Sequence, residues 1–92
     1  MNKVLIFNFN MFDLEQKALI VDLDTGAAES NYLIDKIDNA GIVIAKACID
    51  TQITKIHVYG EETYLNDFVI PEFRRYLHLS NYNTENIEVE VN

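Results

Sequence analysis

The order of apolar patterns along the chain constrains its fold more than any single motif does. Apolar side chains dominate residues 3–12 (KVLIFNFNMF) and again residues 18–24 (ALIVDLD). A polar bend from Asp13 to Gln16 separates the two runs, and this arrangement predicts two antiparallel strands. The next run, residues 30–37 (SNYLIDKI), fits either a third strand or the first turn of a helix, and we favour the strand.

The first run predicts a central strand, because its first half is apolar on both faces and such strands are covered on both sides. Asn8 and Asn10 share one of those faces. Amides on a buried strand need hydrogen-bond partners, and sites in α/β folds often lie at the end of the sheet. We therefore regard Asn8 and Asn10 as a candidate polar site, against the alternative that they tie down neighbouring loops.

Residues 42–49 (IVIAKACI) can be interpreted in two ways. Their β-branched side chains suit a strand, but four apolar residues fit one helical face: Ile42, Ala45, Ile49 and Ile53. We favour a helix, capped by Asp38 or Asn39, because the strand-like run at 55–60 needs a crossover before it can pair in parallel.

A second helix is predicted after Gly60. Glu61 and Glu62 place negative charge at its start, where the helix dipole favours it. Its expected apolar face consists of Leu65, Phe68, Val69 and Tyr76, with Phe73 to one side. Pro71 lies inside this pattern and should kink or restart the helix, because proline lacks a backbone N–H.

The chain ends in a clean alternation over residues 86–91. Its apolar residues, Ile87, Val89 and Val91, should point inward, and Glu88 and Glu90 should point outward. Together the elements predict one domain, residues 1–92, of mixed α/β (α+β) class. We expect a single mixed five-stranded sheet with the element order β-β-β-α-β-α-β.

This element order resembles the ribonuclease H-like fold, whose members include nucleases, ATPases and non-catalytic ribosomal proteins. The nucleases hold two metal ions with acids on the first strand, on the first helix and after the fourth strand. Here the first strand offers Asn8 and Asn10, and the first helix has no glutamate; Glu61 alone is near a matching position. The resemblance therefore implies the fold without its catalytic acids.

Three short strings, KVLIFNFN, ITKIHVYG and NIEVEVN, also resemble parts of small uncharacterised proteins encoded by phages of Gram-positive bacteria. That resemblance implies an origin in a phage or another mobile element. It implies no activity.

The charge balance restricts the classes of partner. Fifteen acids and seven bases give a formal net charge of −8, which repels phosphate backbones and anionic membranes. A basic protein surface suits such a chain better. Because Cys48 is the only cysteine and no apolar leader is present, we expect a cytoplasmic protein without a disulfide.

The leading hypothesis is a non-enzymatic module that binds a basic protein partner, for example one that handles nucleic acid. Carboxylates would stand in for phosphates, and aromatic side chains would supply interface area. The candidate partner-binding residues are Glu61, Glu62, Glu85, Glu88, Glu90, Tyr76 and Tyr82. The edge strand at 86–91 could also pair with that of a second copy to give a homodimer.

Two other function classes remain open. The alternative is a degenerate metal-dependent nuclease that uses Asp13, Asp22, Asp24 or Glu61. The third is a structural subunit of an assembly. We assign no catalytic residue, no metal ligand and no cofactor, since the chain has neither a glycine-rich phosphate loop nor a zinc-type ligand spacing.

Overall fold

A computed structural model of the chain describes residues 3–9, 16–34, 39–82 and 87–92. Its strands form one mixed five-stranded sheet in the order β3-β2-β1-β4-β5. Strand β2 is antiparallel to both neighbours, whereas β4 is parallel to β1 and to β5. The strands are β1 (Lys3–Asn8), β2 (Gln16–Asp22), β3 (Ala28–Ile34), β4 (Lys55–Tyr59) and β5 (Glu88–Val91).

The helical segments lie in the two crossovers. Helix α1 (Ala40–Thr51) joins β3 to β4, and a helix with a central π turn follows β4. The parts of the second helix are α2 (Glu62–Tyr64), the π turn (Leu65–Val69) and α3 (Ile70–Leu79). The predicted single mixed five-stranded sheet is therefore confirmed, and residues 30–34 are a strand, as expected; residues 35–37 lie outside the described part.

Both helices pack on the same face of the sheet. The core joins Leu5, Phe7 and Ile20 of the sheet to residues of α1 and α3. Both crossovers run in the same direction across the sheet, and right-handed crossovers then place their helices on one side. Strand β1 is central, as expected, but among the described residues its second face is covered only near its start. On its other face Val4 is buried, but Ile6 is only half-buried and Asn8 is exposed.

Helix α1 turns a different face to the core than the isoleucine spacing predicts. Ile42 and Ile49 are only half-buried, whereas Ala45 and Ile53 are buried as expected. The buried residues of the helix are mostly small: Ala40, Gly41, Ile44, Ala45, Ala47 and Cys48. Small side chains allow α3 to approach α1 closely, so the contact between the helices determines which face is buried.

The start of α1 is capped from another helix. Asn39 occupies the N-cap position, but its side chain makes no capping hydrogen bond. Instead the Ile42 N–H donates to Oε1 of Glu72 on α3, with an N···O distance of 3.3 Å. This contact ties the two helices together where a local cap was expected. Asp38, the other predicted cap, lies outside the described residues.

The final strand has the predicted orientation. Ile87 is buried, and Val89 and Val91 pack against the core, whereas Glu88 and Glu90 are exposed. This alternation could be predicted because β5 is an edge strand with a single buried face.

Candidate functional site

The carboxyl ends of β1 and β4 lie side by side at one end of the sheet. Asn8 is in register with Tyr59, and the Phe9 N–H donates to the Tyr59 carbonyl over 2.8 Å. The Gly60 N–H donates to the carbonyl of Asn92, which follows β5, over 3.2 Å. Three parallel strands therefore end together, which is the usual place for a site in an open α/β sheet.

Gly60 allows the chain to leave β4 beside Phe9. Its φ angle is +138°, which side chains rarely adopt. A Cβ atom here would lie 2.8 Å from Cβ of Phe9, a separation too short for two carbon atoms. Glycine thus brings the start of the second helix directly against the end of β1.

Glu61 begins that helix as its N-cap. Oε1 accepts the Thr63 N–H over 3.1 Å, and Oε2 accepts the Tyr64 N–H over 2.7 Å. The hydrogen bond from Tyr64, followed by that from Thr63, lowers the pKa of the Glu61 carboxyl below its ordinary value. The carboxylate is therefore ionised at neutral pH and satisfies two N–H groups at the first helical turn.

We expect this cap to contribute stability that depends on pH. Because the pKa of Glu61 is lower in the folded chain, the contribution is present at neutral pH and is lost as the pH falls through the folded-state pKa. Glu61→Gln should therefore unfold at a lower urea concentration than the parent at pH 7, and the difference should shrink below about pH 4. Glu62→Gln removes the same charge without changing the cap and should leave a smaller difference. Equal midpoints for Glu61→Gln and Glu62→Gln at pH 7 would contradict this role.

The π turn changes which aromatic side chain reaches the surface. Pro71 has no N–H, so it cannot make the α-helical bond to the Asp67 carbonyl. Just before it, the Ile70 N–H bonds the Leu65 carbonyl five residues back, as in a π turn. The helix buries Leu65, Val69, Phe73 and Leu77. Phe68, which the sequence pattern placed in the core, is 65% exposed.

Three aromatic rings run from the end of β1 to this exposed position. The centroids of Phe9 and Tyr64 are 4.4 Å apart, and those of Tyr64 and Phe68 are 6.2 Å apart. The Tyr64–Phe68 separation lies within the range of favourable aromatic pairs, about 4.5–7 Å, and the Phe9–Tyr64 separation is at its lower limit. We call Phe9, Tyr64 and Phe68 the aromatic row; it holds one side of the exposed Phe68 ring against the protein.

The exposed charged side chains next to Phe68 in the sequence, from Glu61 to Asp67, are all acidic. Glu61, Glu62 and Asp67 are all exposed, and the sequence has no Lys or Arg between Lys55 and Arg74. We call Glu61, Glu62, Asp67 and Phe68 the acidic end. Glu61 and Glu62 were predicted from the sequence as partner-binding residues, whereas Asp67 was not and Phe68 was assigned to the core. Pro71 was the signal that helical spacing would fail at this point.

The other predicted partner-binding residues lie elsewhere. Glu88 and Glu90 are on β5, and Oε2 of Glu90 lies 3.1 Å from Nδ1 of His57. Tyr76 is half-buried on α3, with the Lys46 ammonium 5.9 Å from the centre of its ring. Tyr82 packs against the core beyond the opposite end of α3. Tyr76, Tyr82 and Glu88 therefore lie apart from Glu61 and Glu62, whereas Glu90 comes shortly before Asn92, whose carbonyl accepts the Gly60 N–H.

Three predicted site residues remain: Asn8, Asn10 and Glu85. Asn8 lies at the end of the sheet, but its side chain is exposed, so the expectation of a buried amide is wrong. The reason is that no helix of the described chain covers that face of β1. Asn10 and Glu85 lie outside the described residues.

The carboxylates proposed for a nuclease are separated. Asp22 pairs with Lys3 at the start of β1, whereas Glu61 lies beyond the other end of the sheet. Five residues of strand at about 3.3 Å each put them roughly 17 Å apart, too far to share a metal ion. Oδ1 of Asp22 also accepts the Asp24 N–H in a turn. Among the described residues no three His, Cys, Asp or Glu side chains are grouped as metal ligands; Asp13 lies outside them.

Comparison with known proteins adds no family to these observations. No protein-family model matches the chain, and a search of curated proteins finds no significant match. Within the part of the chain that the structure describes, no helix has the length and apolarity needed to cross a membrane.

Proposed function

We propose that this chain is a small, non-enzymatic protein-interaction module whose acidic end docks onto a basic surface of a protein partner. One observation carries the proposal: Phe68 is exposed on a segment that also exposes three carboxylates and whose sequence has no Lys or Arg between Lys55 and Arg74. Aromatic side chains are common anchors of protein interfaces, and the surrounding charges select the sign of the partner.

The aromatic row supports the anchor role of Phe68. Tyr64 contacts the ring from one side and is itself packed against Phe9. A side chain that is already held loses less conformational entropy when a partner covers it. The π turn adds to this, because it fixes the backbone that presents Phe68.

The charges supply long-range attraction. Glu62 and Asp67 extend into solvent, and Glu61 is fixed in place by the cap. With a net charge of −8 the chain is attracted to basic grooves, and grooves that hold nucleic acid have that character. The mechanism we propose is occlusion: carboxylates occupy the positions of phosphates and prevent the partner from binding nucleic acid.

We extend the proposal to the fold family and the compartment. The strand order β3-β2-β1-β4-β5, with β2 alone reversed, supports a ribonuclease H-like topology. The nucleases of that fold carry an acid on the first strand, where this chain has Asn8 and Asn10. Asp22 and Glu61, the described carboxylates at opposite ends of the sheet, do not converge. A free buried thiol at Cys48 suits the reducing cytoplasm.

The test is capture from a host lysate with two charge-reversed variants of equal net charge. Glu62→Lys with Asp67→Lys reverses the acidic end, and Glu88→Lys with Glu90→Lys reverses β5. We expect the parent and the β5 variant to retain one basic protein at about 0.05 M salt and to release it at about 0.5 M. The acidic-end variant should retain none.

Phe68→Ala tests the contribution of the aromatic anchor without changing the net charge. Truncating an interface anchor costs about 2 kcal/mol, so the purified partner should bind the variant roughly 30-fold more weakly, measured by calorimetry. Added parent protein should also displace nucleic acid from that partner. Retention by the acidic-end variant, or unchanged affinity of Phe68→Ala, would refute the proposed surface. A complex that survives high salt at fixed stoichiometry would favour a structural subunit instead.

A further inference from the structure

The two edges of the sheet differ in how well they are protected against pairing with another strand. Strand β5 has four residues, and two of them are the exposed Glu88 and Glu90. Short edge strands that carry charges resist pairing. Strand β3 has seven residues, AESNYLI, without proline or lysine. Of these, only Ile34 is buried, and Leu33 is 56% exposed.

The outer edge of β3 is open along its length in the described structure. Strand β3 pairs with β2 on one side, and no strand of the described chain pairs with its other side. An edge strand leaves a row of backbone N–H and C=O groups available to a further strand. A register shift opposite Ile20 and Val21 disturbs the beginning of β3, but pairing is regular from Ser30 to Ile34.

The charges near β3 favour a second copy as the occupant. The single carboxylate of β3, Glu29, has its Oε2 atom 2.6 Å from Nζ of Lys3. Lys17 on β2 lies in register with Leu33. This edge is thus nearly neutral in a chain of net charge −8, whereas two β5 strands would bring four glutamates together. Two copies meet with least repulsion at β3.

We propose that two copies of the chain pair through their β3 strands, antiparallel and about a two-fold axis, to form one continuous ten-stranded sheet. Such a contact is isologous, since each β3 strand presents the same edge to the other. The acidic end lies at the carboxyl ends of β1 and β4 rather than on this edge, so both copies remain able to bind a partner. The β5 edge, which the sequence suggested as a possible dimer contact, stays unpaired.

Salt distinguishes this contact from binding to a basic partner. Screening weakens the attraction between opposite charges but also weakens the repulsion between two acidic chains. Sedimentation velocity over a concentration series should therefore show more dimer at about 0.5 M salt than at about 0.05 M. Partner capture should respond in the opposite direction, so failure of one proposal leaves the other intact.

A single added lysine tests the edge itself. Asn31→Lys places a charge on the exposed centre of β3, and Thr63→Lys makes the same charge change at an exposed helical site. We expect Asn31→Lys to remain monomeric and Thr63→Lys to dimerise at least as well as the parent. Circular dichroism should show that both variants are folded. Dimerisation of Asn31→Lys equal to that of Thr63→Lys would overturn the proposal.

Cysteine substitutions locate the contact. Single variants Ser30→Cys, Asn31→Cys and Leu33→Cys scan β3, and Glu88→Cys scans β5; Cys48 is buried and leaves little background. Mild oxidation should give an intermolecular disulfide for at least one β3 variant and none for Glu88→Cys. Disulfide formation only at Glu88→Cys, or a monomer at every concentration and salt, would refute the β3 dimer. A monomer whose partner binding is lost in Asn31→Lys would assign the edge to a strand of the partner instead.

Discussion

Replacing Gly41 by alanine is expected to lower the free energy of unfolding by about 2–3 kcal/mol. A Cβ atom at Gly41 would lie 2.6 Å from the carbonyl oxygen of Val69 and 2.8 Å from the backbone nitrogen of Phe73. Both atoms belong to the backbone of the second helix, so they cannot rotate away as a side-chain end can. The helices must separate, and the hydrogen bond between Ile42 and Glu72 must lengthen.

Helix propensity alone would predict the opposite effect, a rise in the free energy of unfolding. Alanine is favoured over glycine inside a helix by about 1 kcal/mol, so an uncrowded site would be stabilised. Gly26→Ala is the matched control, because nothing lies within 4 Å of its Cβ position although its φ is +75°. Backbone strain alone should cost the control about 1 kcal/mol. Urea unfolding of both variants measures the difference, and a Gly41→Ala chain as stable as the parent would mean that the helices do not pack this closely.

Strand patterns in the sequence were sufficient for much of the fold. Residues 3–8, 18–22, 55–59 and 88–91 all lie in strands of the sheet, because side chains of a strand point to alternate faces whatever surrounds it. The order of the elements along the chain then limited the number of possible sheet topologies. Ile87 was placed correctly for the same reason.

The faces of the elements were harder to predict, because they depend on distant packing. Ile6 is as apolar as Leu5 and Phe7 but is only half-buried, because the helices pack on the face that carries Leu5 and Phe7. The handedness of both crossovers, which side-chain pattern does not encode, selects that face. In α1 the close contact with the second helix buries Gly41, whereas Ile42 is only half-buried.

The acidic end was predictable only in part. Glu61 and Glu62 were identified because acids at a helix start have a physical reason to be there. Phe68 was assigned to the core because a regular helix would carry it inward beside Leu65. The π turn before Pro71 removes that regularity, and its presence depends on how the helix accommodates the missing N–H.

The stability of the protein is expected to fall at alkaline pH because of Cys48. Its side chain has no exposed surface, and burial raises the pKa of the thiol to about 12. In the unfolded chain the thiol ionises near its ordinary pKa of about 8.5. Between these two values the unfolded state loses a proton that the folded state keeps. The free energy of unfolding should therefore fall by about 1.4 kcal/mol per pH unit from this group.

Cys48→Ala isolates this contribution from tyrosines and lysines that ionise in the same range. At pH 7 the variant should be less stable than the parent by about 1 kcal/mol, because it loses one small buried group. As the pH rises beyond about 9, the parent loses its advantage, and near pH 10 the variant should become the more stable protein. Urea unfolding of both proteins at several pH values measures this crossing. A difference that stays constant would mean that the folded chain solvates the Cys48 thiolate as well as water does, which the complete burial of this side chain argues against.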